Sequence, residues 1–160
     1  MTFYDVAKLF LDELECRRFL VAYGIFYNER ICESCENPMM LNIERNCFRC
    51  NRRDCNKEIS LRKGSFFYGS ALACTKILYL GYQWLHKTPT VEIVRMTGHS
   101  SRTVCNFQKH FRNLVASDLS ESSTLIGGEG IIVEIDESKL GKRKYNRGHP
   151  VEGVWVVGGN

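Results

Sequence analysis

The sequence predicts an α+β chain assembled from several small parts, and three observations predict it. Five of the eight cysteines crowd into the stretch from Cys32 to Cys55. From Ser70 to Ser117 apolar residues recur at helical spacing, with breaks at Pro89 and Gly98. Two β-branched runs near the end, Ile131–Ile135 and Val154–Val157, flank a basic, glycine-bearing connection. The expected parts are a helical lead (1–30), a cysteine-rich part (31–63), a helical part (64–119), a linker (120–130) and a strand pair (131–160).

The lead is read as two helices. Thr2 can cap one from Phe3 to about Leu11, and Asp12 can cap a second from Glu13 to Tyr23, which Gly24 terminates. Cys16, Phe19 and Leu20 give the second helix an apolar side.

Cys32-Glu-Ser-Cys35 is a C-x2-C knuckle, and Cys47, Cys50 and Cys55 offer three thiols for two further positions. Met39–Glu44, Cys47–Arg49 and Glu58–Leu61 read as short strands. Two knuckles joined by a small sheet describe a zinc ribbon, in which four thiolates bind Zn tetrahedrally. So small a sheet buries too little surface to hold itself, so the metal would supply folding energy. Spacing alone favours Cys47 with Cys50 as the second pair, since they repeat C-x2-C.

Next, Leu72, Ile77, Leu78, Leu80, Tyr82, Trp84 and Leu85 predict a largely buried helix from Ser70 to Lys87, ended by Pro89. Thr90 is a good N-cap for a short helix, Val91–Met96, stopped by Gly98. Ser100 or Ser101 then caps a longer helix from Arg102 to about Ser117, packed through Val104, Phe107, Phe111, Leu114 and Val115. Short helix, glycine turn and longer helix is the order of a helix-turn-helix, whose second helix enters the DNA major groove. Off the apolar stripe, Arg102 and Asn106 suit base edges, while Lys109 and Arg112 suit phosphates. His86 and His99 are expected to be solvated or capping, and Cys16, Cys74 and Cys105 to be small buried hydrophobes.

Polar, glycine-rich Ser120–Gly130 reads as a linker. The run after it is read as a strand that delivers Asp136 to its end, followed by a basic turn from Lys139 to Arg147 and a second strand.

Composition narrows the classes further. Apolar content of 44% and charged content of 25% exclude a disordered chain. No apolar run approaches the ~20 residues of a membrane-spanning helix, and the first fifteen residues do not read as a signal peptide. A cytoplasmic protein is expected, or a nuclear one if eukaryotic, and there the cysteines argue for metal over disulfides. The net charge is +4, and residues 64–120 hold six Lys/Arg against two Asp/Glu, which points to a polyanionic partner.

The motifs also carry a family resemblance. Val133 to Gly159 is similar to the VEIDE-x-K-x-G-K-x-K-x-N-x-G and V-x-G-x-W-V-x-G-G segments of Merlin-type DDE transposases and their insertion-sequence relatives. Phe48-Arg49-Cys50, Cys55 and Ser60-Leu-Arg-Lys-Gly-Ser-Phe-Phe67 resemble the family's ribbon, and Thr97-Gly-His-Ser-Ser-Arg-Thr-Val104 its helical region. The resemblance implies zinc on Cys32, Cys35, Cys50 and Cys55, with Cys47 the spare. It implies that residues 131–160 open a ribonuclease-H-like core. There Asp136 would be the first acid of a Mg- or Mn-dependent site, incomplete in this chain. Lys142, Arg143, Lys144 and Arg147, with Lys139, would lie along the DNA backbone.

The implied function is that of the N-terminal part of a DNA transposase. It would bind the terminal inverted repeats of its element as double-stranded DNA, with a homo-oligomer as a further expected partner, without cutting by itself. The alternatives are a domesticated DNA-binding protein that represses related elements and a zinc-dependent protein-interaction adaptor.

Overall fold

The computed structural model describes residues 3–118, 130, 132, 134–140 and 154–159. They form a mixed α+β chain of two compact units, one ending at Asn113 and one beginning at Leu114.

The first unit begins with α1 (Phe3–Leu11) and α2 (Glu13–Ala22). Asp12 caps α2 as expected, its carboxylate accepting the N–H groups of Leu14 (2.8 Å) and Glu15 (3.1 Å). A three-stranded antiparallel sheet follows, β1 (Met39–Asn42), β2 (Cys47–Cys50) and β3 (Glu58–Ser60), in the order β1-β2-β3. Its register sets Met39 opposite Cys50, and Phe48 opposite both Leu41 and Ile59. β1 stops two residues earlier than expected. The Asn42 side-chain oxygen accepts the N–H of Arg45 at 2.8 Å, and Asn46 takes φ +58, so residues 43–46 make the turn.

Helix α3 (Cys74–Leu85) starts four residues later than expected. Arg62 explains the delay, because its guanidinium donates to the carbonyls of Ser70 (3.2 Å) and Leu72 (2.7 Å) and holds that stretch extended. Ala73, at the N-cap, has no side chain able to cap α3. The carboxylate of Glu13 on α2 does so instead, accepting the N–H groups of Cys74 (3.1 Å) and Thr75 (3.0 Å). Glu13 also pairs with Arg17 (3.2 Å) and Arg62 (3.4 Å).

After α3 come α4 (Thr90–Thr97) and α5 (Ser101–Asp118). Pro89, not Thr90, holds the N-cap of α4. Its missing N–H costs nothing at that position, and Thr90 is free to donate to Gln108 on α5 at 3.1 Å. Gly98 ends α4 in the left-handed region (φ +68), and Ser100 caps α5 by accepting the N–H of Thr103 at 3.1 Å.

One core runs through this unit. Leu20, Phe26, Phe48, Leu61, Phe67, Ile77, Leu80, Ile93, Val104 and Phe111 are buried together with Cys16, Cys32, Cys50 and Cys74. Phe111 stacks on Phe66 (5.5 Å between centroids) and lies 5.7 Å from Trp84. The packed stripe of α5 ends there. Leu114 and Val115, expected on it, are half exposed, because the aromatic partners lie opposite Phe107 and Phe111. Cys105, expected to be buried, is exposed, since it falls off the stripe of Val104 and Phe111.

The second unit contains a two-stranded antiparallel ladder, β4 (Ile135–Leu140) with β5 (Val154–Gly159). Asp136 is not at the end of its strand but second in it, paired with Gly158. The six residues of β5 extend the ladder to Leu140, so Lys139, expected in the turn, pairs with Trp155. Ile131 and Val133, the linker up to residue 129, the rest of the basic turn and the proposed cap Thr2 lie outside the described residues.

Candidate metal centre and the exposed face of α5

Four thiols converge where the two turns of the sheet region meet. The sulfurs of Cys32, Cys35, Cys50 and Cys55 all lie within 4.8 Å of one another. Cys32 Sγ is 3.6 Å from Cys55 Sγ, and Cys35 Sγ is 3.5 Å from Cys50 Sγ. A disulfide would require ~2.05 Å. A tetrahedron of sulfurs about a zinc ion, at ~2.3 Å each, has edges of ~3.8 Å. The spacing therefore suits four thiolates around one metal ion, consistent with zinc.

The backbone builds the cluster from two tight turns. Around the first, Glu36 donates its N–H to the Cys32 carbonyl (2.9 Å) and takes φ +57. Around the second, Asn56 donates to the Arg52 carbonyl (3.2 Å) and takes φ +47, while Cys50 N–H donates to the Lys57 carbonyl (2.9 Å). Cys32 and Cys50 are buried, and Cys35 and Cys55 are half-buried.

The thiols are not equivalent. Hydrogen bonds from the Asn37 side chain and then its backbone N–H bring Cys35 down to about 6. At Cys55 the Lys57 N–H pulls downward, but burial and the neighbouring thiols outweigh it and push the group up to about 11. Cys50 is also raised: its burial and the Cys35 thiol overcome the pull of the Arg52 N–H. Cys35 is thus more readily ionised than Cys50 and Cys55, and a cation bound here would compete with protons at those two thiols.

Cys47 stands outside this group. It begins β2, whose burial alternates so that Phe48 and Cys50 face the core while Arg49 is exposed. Residues three apart on a strand face opposite sides, so Cys47 and Cys50 cannot both turn to one ion while β2 stays extended.

Helix α5 presents the second candidate feature. Val104 and Phe111 are buried on one side, and Arg102, Asn106, Lys109 and Arg112 are exposed. At ~100° per residue, Arg102, Asn106 and Lys109 fall within one narrow sector opposite that core, with Arg112 at its flank. Among the described residues, none of these three cations is held in an ion pair. His99, expected to be solvated or capping, is half-buried, and its Nε2 is enclosed without a partner among the described residues. His86 sits at the C-cap of α3 with its ring 4.3 Å from Tyr82.

Of Asp136 the backbone pairing alone is described. Lys142, Arg143, Lys144 and Arg147 lie outside the described residues. Sequence reading missed Glu13, whose partners lie in distant segments, although an acid within the first turn of α2 was visible. Among the described residues, no helix is long and apolar enough to cross a membrane. No family model, curated protein or solved structure matches this chain.

Proposed function

We propose that this chain is a zinc-dependent DNA-binding protein of transposase type, which grips duplex DNA through α5. The observation that carries the reading is the exposed row Arg102-Asn106-Lys109, set opposite the buried stripe and following the Gly98 turn. Its residue types match the work: Arg and Asn form paired hydrogen bonds to base edges, and Lys and Arg neutralise phosphates. In this reading α4 and α5 act as a helix-turn-helix, with α5 in the major groove.

The cysteine cluster supports it structurally. A zinc ion on Cys32, Cys35, Cys50 and Cys55 would fix a ribbon whose Phe48 and Cys50 belong to the same core as Val104 and Phe111 on α5. Metal binding would then set the position of the DNA-facing helix as well as that of the sheet.

Selectivity for the terminal inverted repeats of an element, and a Mg or Mn ligand at Asp136, rest on the family resemblance of the motifs. That resemblance assigns Asp136 as one acid of such a site, and the activity we read from α5 is duplex binding. The test is titration of labelled duplex with zinc-loaded protein across a salt series. Binding that weakens steeply with salt, and is lost in an Arg102→Ala, Lys109→Ala double variant, supports the reading. Zinc-loaded protein that ignores duplex at low salt would replace it with a protein-interaction adaptor, and a Mg-dependent cut abolished by Asp136→Ala would restore catalysis.

A further inference from the structure

A cavity of about 350 Å³ opens beside the exposed row of α5. Phe66, Tyr68, Phe107 and His110 give it ring walls, and Thr103 and Asn106 its polar edge. The rings are ordered: Phe107 lies 6.1 Å from His110, and Phe66 lies 6.5 Å from it in an edge-on arrangement. Phe66 is held from behind by stacking on Phe111, which is part of the buried core. Tyr68 is 61% exposed and stands at the open side. Gly69 next to it takes φ +78, and a Cβ there would meet nothing within 4 Å.

The contents of this cavity select a class of ligand. Its volume falls in the range of sites for small molecules, roughly 300–1,000 Å³. Aromatic walls favour a flat π-system, and the Asn106 amide offers a donor and an acceptor in one plane, the complement of a base edge. No lining residue is acidic. Asn106 belongs both to the cavity and to the exposed row, with Arg102 one turn before it and Lys109 one turn after. A group that enters the cavity therefore has cations on both sides of its point of entry.

We propose that the cavity receives a single unstacked nucleobase of the bound DNA while Lys109 holds a phosphate on one side of it and Arg102 reads a neighbouring base edge on the other. This rests on the reading of α5 as the DNA-facing helix. A fully paired duplex keeps every base in the stack, so the cavity is filled only where pairing is interrupted. One base stacked on aromatic side chains contributes enough to change affinity about tenfold.

The experiment uses the full zinc-loaded chain and two probes: a short duplex of mixed sequence, and the same duplex with one extra unpaired adenine. The expected result is about tenfold tighter binding to the bulged duplex. That preference should vanish in Tyr68→Ala and in His110→Ala, both at exposed positions, while affinity for the paired duplex stays the same. Equal affinity of the unaltered chain for both probes overturns the base pocket and leaves the groove-binding reading standing. A preference that survives both substitutions also overturns it, because the bend at the bulge would then be the feature recognised. Binding to neither probe overturns the groove-binding reading, and this inference with it.

Discussion

The carboxylate of Glu13 accepts the backbone N–H of Thr75 at 3.0 Å across 62 residues of sequence. With the Cys74 N–H and the guanidinium groups of Arg17 and Arg62, it ties the lead, the end of the sheet region and α3 at one point. Burial works to raise the pKa of Glu13, but the Thr75 and Cys74 N–H groups and Arg17 overcome it and hold the pKa below its ordinary value of 4.5. Glu13→Gln should therefore cost about 1–3 kcal/mol at neutral pH. Because the folded value is depressed, this contribution is complete above 4.5 and fades as pH falls through the lower folded value. Urea melts of both chains across pH, with zinc content followed in the same samples, should show a constant gap from neutral pH down to about 5 that narrows below it. A gap that widens in acid would contradict the assignment.

A second prediction concerns the ligand set. Cys55→Ser should abolish tight zinc binding and loosen the core around Phe48, while Cys47→Ser should keep one equivalent of zinc and the fold. Cobalt substitution gives a readout independent of stability, since four thiolates in a tetrahedron produce intense visible bands. A Cys47→Ser chain without those bands would exchange the roles of Cys47 and Cys55.

That pair shows how far the sequence could be read. Five cysteines in a short stretch pointed to a candidate metal site, and Cys32-Glu-Ser-Cys35 was legible because a C-x2-C turn works alone. The second pair was ambiguous by spacing, since Cys47 and Cys50 repeat the same motif. The answer lay in the strand period: once Cys47–Cys50 is a strand, positions three apart face opposite sides. Glu13 was illegible for a different reason. An acid in the first turn of a helix is ordinary, and its partners at Arg62, Cys74 and Thr75 become neighbours only when the chain folds. The aromatic cavity was hidden in the same way, because Phe66 and Tyr68 meet Phe107 and His110 only across tertiary packing.

A third prediction tests the turn between α4 and α5. Gly98 holds φ +68, and its N–H closes α4 on the Val94 carbonyl at 2.9 Å. A Cβ there would meet nothing within 4 Å, so the cost of Gly98→Ala is that of backbone conformation alone, about 1–2 kcal/mol. Gly98→Asn should cost less, since asparagine tolerates the left-handed region. Chemical denaturation of the three chains side by side gives the order Gly, Asn, Ala, and equal stability of Gly98→Ala would mean that the turn relaxes to another conformation.

A fourth prediction separates the two kinds of contact proposed for α5. Lys109 is placed to neutralise a phosphate, and Arg102, in the first turn of the helix, to read a base edge. Lys109→Ala should weaken binding to all duplexes alike and reduce the slope of log affinity against log salt by about 1. Arg102→Ala should lower affinity most for a duplex selected as the preferred site, by about 1–3 kcal/mol, and flatten the difference from unselected duplexes. Salt titrations on selected and unselected duplexes measure both effects in one series. If Arg102→Ala weakened both duplexes equally and changed only the salt slope, Arg102 would be a phosphate contact too. Recognition would then have to come from Asn106 or from another element of the chain.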